Sequence, residues 1–189
     1  AVLKAQVQSA QRGDVEPGIA LQEIGDTVNR ATQLANQMLS LAKVEQLQQS
    51  EPVHPVPLTE LVRDMVIELS PLLAEKNLQF ELDAEDVTLT AHTWMLRELT
   101  RNLLHNAIQH SPYNAPLKIG LHMAGGAATL TISDWGPGVS ADMQTKMTEP
   151  FVTSQWQGGT GLGLAICQSI ASACRATLVL HNRIQPHQH

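Results

Sequence analysis

The sequence predicts an α+β chain in two parts: a helical hairpin, then an α/β sandwich in which one mixed sheet carries helices on one face. Three observations point there. Apolar residues recur every three or four positions through the first quarter of the chain, as in a helix–helix seam. A proline-rich stretch, Glu51-Pro52-Val53-His54-Pro55-Val56-Pro57, then interrupts that pattern. Beyond it, short alternating stretches and helical stretches mix without a regular βαβ rhythm. The expected division is a hairpin over 1–50, a linker over 51–57 and a folded domain over 58–189.

Taken in order, Val2, Leu3, Val7 and Ala10 make a helical stripe over residues 1–12. Residues 13–18 contain Gly13, Asp14, Pro17 and Gly18, which is turn composition. A long helix is expected over 19–48, with Leu21, Ile24, Val28, Ala31, Ala35, Met38 and Ala42 as its seam. Two helices alone leave such a seam partly uncovered, so a dimeric four-helix bundle is the expected solution. The alternative packs the hairpin on its own globular domain. Past the prolines, 58–76 patterns as one helix, with Thr59 at its cap or first turn. Residues 78–82 and 87–90 alternate as strands. A helix carrying Glu98, Asn102 and Asn106 follows, stopped by Ser111-Pro112. Leu96, Leu99, Leu103, Leu104, Ala107 and Ile108 form its apolar stripe. Residues 117–123 and 127–133 read as a hairpin across Gly125-Gly126.

Composition narrows the function classes. The chain of 189 residues is 43% apolar, enough for a core without staples. A net charge of −6 argues against a nucleic-acid binder, which needs a basic face. No run of apolar residues is long enough for a membrane-spanning helix, and no signal peptide opens the sequence, so no membrane contact by this segment is expected. Cys167 and Cys174 lie seven apart in a helical pattern, about 10 Å along the axis, too far for a bond within one helix. Reduced thiols and a cytosolic setting are therefore expected.

The chemistry concentrates in the 98–110 helix and two glycine loops. Glu98, Asn102 and Asn106 are four apart and share one flank. An amide oxygen is a suitable hard donor to Mg²⁺ when phosphates bring the negative charge. Asp134-Trp135-Gly136-Pro137-Gly138 follows a strand, and two glycines there let backbone approach a ligand. Taken alone, that loop is also ordinary turn chemistry. Gly158-Gly159-Thr160-Gly161-Leu162-Gly163 runs straight into an apolar helix, whose free N-terminal amides suit phosphate. Neither the dinucleotide fingerprint nor a Walker loop fits: the first lacks its strand and its later acidic residue, the second its Gly-Lys-Ser/Thr.

These segments together resemble the cytoplasmic kinase core of bacterial sensor histidine kinases, in the gyrase/kinase/MutL ATP-binding superfamily. Asn102-Leu103-Leu104-His105-Asn106-Ala107 resembles the N box and Asp134-Trp135-Gly136-Pro137-Gly138 the first glycine box. Glu149-Pro150-Phe151 resembles the F box, and 159–166 the second glycine box. Residues 37–45 are similar to the end of the dimerisation and phosphotransfer hairpin. The resemblance implies ATP and Mg²⁺ as ligands, with Asn106 on the metal and Asn102 on metal or phosphate. It implies Asp134 on the adenine amino group, Gly136 and Gly138 giving clearance, and Thr160, Gly161, Leu162 and Gly163 at the phosphates. Residues 152–160 would be a lid. It also implies a homodimer formed through the hairpin, a response-regulator receiver domain as partner, and a cytoplasmic segment whose parent sits in the bacterial inner membrane.

In hydrolysing relatives a Glu stands four residues before the metal Asn; here that place is Asn102. Glu98 repeats the spacing one turn upstream, which makes Glu98 and Asn102 the candidate catalytic pair; an ion pair or cap is the alternative role for Glu98. Without a base for water, the γ-phosphoryl is kept for a histidine acceptor. The match departs at three places. No histidine precedes His54, so the family's acceptor is missing from the hairpin and no autophosphorylation of this fragment is expected. The usual Gly-Gly pair and last strand are replaced by Cys174-Arg175-Ala176 and a polar tail, which predicts an uncovered sheet edge. The lid has no Lys or Arg and Gln109 stands at an often basic position, leaving His110 or Arg101 to compensate. The rival readings are a non-catalytic nucleotide-binding or dimerisation module and a superfamily ATPase.

Overall fold

A computed structural model of the chain describes residues 2–50, 52–140, 146 and 161–183. It divides into two compact units, 1–40 and 41–189.

The first unit is helical. Helix α1 (Val2–Arg12) and helix α2 (Pro17–Ser50) are joined through Gly13, whose φ of 78° favours glycine at this turn. Within this unit the Thr27 hydroxyl donates to Gln6 Oε1 at 3.3 Å, which ties α2 to α1. The apolar seam of α2 is open: Leu21, Val28 and Met38 are 70%, 45% and 55% exposed. The last turns of α2 belong to the second unit. There Val44 and Leu47 are buried and Lys43 Nζ stands 4.5 Å over the Trp94 ring. The compact units thus part at Ser40, ten residues before the expected boundary.

The second unit opens on strand β1 (His54–Pro57), inside the stretch expected as a linker. Two prolines do not prevent a strand that has one neighbour, because their missing N–H groups face away from any ladder. β1 pairs antiparallel with strand β3 (Thr88–Ala91), and Val56 enters the core. The single helix expected over 58–76 is two helices, α3 (Leu58–Glu68) and α4 (Ser70–Glu75). Pro71 lies in the first turn of α4; it cannot donate to the Ile67 carbonyl and its ring crowds that group, so the helix breaks at Leu69. Thr59 is inside α3. Its hydroxyl donates to the Glu85 carbonyl at 2.7 Å and accepts from the Val87 N–H at 2.9 Å.

Strands β2 (Gln79–Ala84), β4 (Pro116–Ala124) and β5 (Ala127–Ser133) form the larger sheet in the order β2-β4-β5. β2 is parallel to β4, and β5 antiparallel to it. Among the described residues the expected single sheet is thus two: this mixed one and the β1–β3 ladder. Gly125 and Gly126, at φ 59° and 83°, supply the left-handed two-residue turn between β4 and β5. Alternation along β4 sorts the faces. Leu117, Ile119 and Leu121 join the core, while Lys118 pairs with Glu81 at 2.6 Å and His122 lies between Asp83 and Glu85. Among the described residues β4 is the strand neighbour of β5.

Helix α5 (Thr93–His110) lies in this core. Met95, Leu96, Thr100, Leu104, Ala107 and Ile108 are buried, whereas Leu99 and Leu103 are only half-buried. Helix α6 (Gly163–Ala173) packs on α5, and the Cys167 thiol reaches the Leu99 carbonyl at 3.8 Å. Thr100 is 1% exposed and its hydroxyl has no partner among the described residues. A buried hydroxyl without a hydrogen bond costs stability. Thr100→Val, which keeps the shape, is expected to stabilise the unit by about 1 kcal/mol, read as a higher urea midpoint with unchanged slope.

Candidate functional site

Helix α5 forms as a helix because its apolar positions follow a 3.6-residue period, and that period places Glu98, Asn102 and Asn106 together on one flank. Asn102 Nδ2 donates to the Glu98 carbonyl at 2.8 Å and to Glu98 Oε1 at 3.1 Å. Glu98 is therefore engaged one turn below Asn102 rather than standing apart. The Asn106 amide is half-buried and makes no side-chain hydrogen bond among the described residues. Arg101 points to another flank, where it and Arg97 pair with Glu68 of α3.

Both glycine segments approach α5. A Cβ at Gly136 would stand 2.8 Å from the His110 carbonyl and 2.8 Å from Asp134 Oδ1, closer than any side chain tolerates. The loop after β5 can therefore lie against the end of α5 only as glycine. Asp134 Oδ1 accepts the Gly136 N–H at 2.8 Å, which fixes the carboxylate at the start of that loop. Gly138 has φ 74°, a second position suited to glycine. At the other end of the site, a Cβ at Gly163 would meet Asn102 Oδ1 at 3.4 Å, so the first residue of α6 faces the central amide of α5. Gly161, at φ 70°, turns the chain into α6, and Leu162 is fully buried behind it. The N-cap residue of α6, Leu162, offers no side-chain hydrogen bond to the first turn of the helix.

Burial pushes the Cys167 thiol up to about 12, with the Glu98 charge adding to it. The thiol stays protonated at neutral pH and takes no part as a nucleophile. Thr160, the F-box residues 149–151 and the lid 152–160 lie outside the described residues.

Gly136 packs against the His110 carbonyl and Gly163 lies in contact with the Asn102 amide, so both glycine segments border α5. Sequence reasoning passed over three residues here. Lys76, Asn182 and Arg183 all brace this region through backbone carbonyls, a role that side-chain pattern does not encode.

The fold and loops define an ATP-binding class, and residues 92–186 match the family described as histidine kinase-, DNA gyrase B- and HSP90-like ATPase. The chain belongs to that family. Within it, the chain stands with the cytoplasmic cores of bacterial sensor histidine kinases. It is 33% identical to the sensor protein QseC of Salmonella typhi, over 96% of this chain and 41% of that protein. The chain thus spans less than half the length of this relative. The cytoplasmic segment of histidine kinase QseC superposes with a TM-score of 0.52 at 25% identity, over 77% of this chain and 80% of that one. Histidine kinase ThkA, solved with the response regulator TrrA, shares the fold with a TM-score of 0.74 at 21% identity, over 96% of this chain and 53% of that one.

Proposed function

We propose that this segment binds Mg-ATP between α5, the Asp134–Gly138 loop and the start of α6, and serves phosphoryl transfer to a histidine in two-component signalling. One observation carries the reading: two glycine segments distant in sequence both approach α5, Gly136 at the His110 carbonyl that ends it and Gly163 at the Asn102 side chain. Asp134 would accept the adenine amino group, and the first amides of α6 with Gly161 and Thr160 would hold the phosphates. Asn106 would ligate Mg²⁺, with Asn102 beside it. Bound Mg²⁺ would draw charge from the phosphate oxygens.

The residues of the chain position and protect rather than hydrolyse. Asn102 has no basic lone pair for activating water, and its amide donates to the Glu98 backbone carbonyl and to one carboxylate oxygen of Glu98. Hydrolysis is thereby disfavoured, and an imidazole nitrogen of an acceptor histidine takes the γ-phosphoryl as ADP leaves. No histidine precedes His54, so the acceptor is presented from outside these residues. The open seam of Leu21, Val28 and Met38 supports a homodimer through the hairpin. A response-regulator receiver domain is the downstream partner in this reading, as TrrA is for ThkA in its solved complex. The segment works on the cytoplasmic side, with its parent in the inner membrane.

Radiolabelled ATP tests this directly. Incubated alone, the chain is expected to take no label and to release phosphate slowly. With a separate hairpin that carries an acceptor histidine, that hairpin becomes labelled. Fast steady-state phosphate release instead would assign the site to an ATPase.

A further inference from the structure

Residues 176–183 beyond α6 form neither helix nor strand, yet two of them fasten the loop that begins at Asp134. Asn182 Nδ2 donates to the Val139 carbonyl at 2.6 Å, and Asn182 Oδ1 accepts the Val139 N–H at 2.8 Å. One side-chain amide thus satisfies both backbone groups of one residue, as a neighbouring strand would. Asn182 also fills the space over Gly138: a Cβ there would meet Asn182 Oδ1 at 2.9 Å. The next residue grips the other end of the loop. The Arg183 guanidinium lies 3.5 Å from the Trp135 ring centroid, and its NH1 donates to the Asp134 carbonyl at 3.4 Å.

The loop between these grips contains Gly136 and Gly138, so its unfastened backbone samples many conformations. A ligand that needs Asp134 in one place would then bear the ordering entropy at each binding event. We propose that Asn182 and Arg183 are positioning residues that hold the Asp134 loop in its base-recognising form, and so set discrimination for adenine over other bases. This inference rests on the nucleotide site described above. Neither side chain needs to touch the nucleotide; they act through Val139, Trp135 and the Asp134 carbonyl.

Calorimetric titration of Mg-ADP and Mg-GDP into the whole chain tests it, with melting followed in parallel. ADP avoids turnover, and GDP carries a carbonyl in place of the 6-amino group whose N–H Asp134 would accept. Asn182→Ala is expected to weaken ADP about tenfold, the worth of one or two partly exposed hydrogen bonds, while GDP changes little. Arg183→Ala is expected to weaken ADP about threefold, in line with an exposed cation–π contact. Asn182→Asp keeps the acceptor for the Val139 N–H and loses the donor, so it should fall between parent and Asn182→Ala. Arg183→Lys keeps the charge and should recover part of the loss. An ADP/GDP ratio within twofold of the parent in both alanine variants overturns the inference, as does a parallel loss of both nucleotides. If Asn182→Ala does not fold, the Arg183 pair decides by the same criterion. A parent chain that binds ADP no better than GDP overturns the site reading itself, and this inference with it.

Discussion

Asp134→Ala is expected to reduce Mg-ADP affinity about 100-fold, with little change in the fold beyond the loop it starts. A hydrogen bond to a charged acceptor in a partly desolvated site contributes about 1.5–3 kcal/mol, and in the proposed site this carboxylate would have two duties. Oδ1 already accepts the Gly136 N–H, which leaves Oδ2 for the exocyclic amine of adenine. Asp134→Asn separates those duties. An amide has one acceptor oxygen, so it either keeps the turn and offers an N–H to the amine, or turns the oxygen to the amine and releases Gly136. Asn is therefore expected to lose nearly as much ADP affinity as Ala while retaining more of the melting temperature. Calorimetry of both variants against the parent reads this. Affinity within threefold of the parent in Asp134→Ala would remove the base-binding role from this residue.

Lys76→Met is expected to destabilise the second unit by about 2–3 kcal/mol, read as a lower denaturant midpoint and a melting temperature lowered by about 6 °C. The Lys76 ammonium donates to the carbonyls of Ile108, Gln109 and Ser111 at 2.9, 2.6 and 2.9 Å. Three donors on one nitrogen meet three acceptors at the end of α5, where the helix dipole also favours positive charge. Removing the cation leaves partly buried carbonyls to be rehydrated in a site shaped for an ammonium. Lys76→Arg is not expected to restore the loss, because the planar guanidinium spreads its donors over a fork instead of converging on one point. The effect reaches the site. His110 belongs to the same helix end and its carbonyl sets the approach of Gly136, so a frayed end should also weaken nucleotide binding, measured as a raised Kd at a temperature where the variant is still folded.

Much of the architecture was legible along the chain. The α5 stripe, the Gly125-Gly126 hairpin and the two glycine segments each carry their own local physics: a period, a turn preference or a missing Cβ. The errors arose where distant segments override local pattern. Residues 58–76 keep a helical period throughout, but Pro71 cuts it; the Ser70-Pro71 pair was a signal that the period concealed. The proline-rich stretch reads as a linker until β3 arrives beside it and Val56 finds the core. Leu99 and Leu103 looked like core, yet they lie half-buried on the α5 flank, while Met95 and Thr100 are buried instead.

For this protein, the order of residues alone determined most of the element types, the four-residue spacing of Glu98, Asn102 and Asn106 along α5 and the two glycine segments. These follow from backbone geometry within a few residues, which sequence writes directly. The tertiary structure decided that Gly136 meets His110, that Gly163 meets Asn102, and that Lys76, Asn182 and Arg183 brace the site from far along the chain. Those contacts join side chains to backbone carbonyls and amides, groups every residue carries. No pattern of residue types marks which of them will be brought together until the chain has folded.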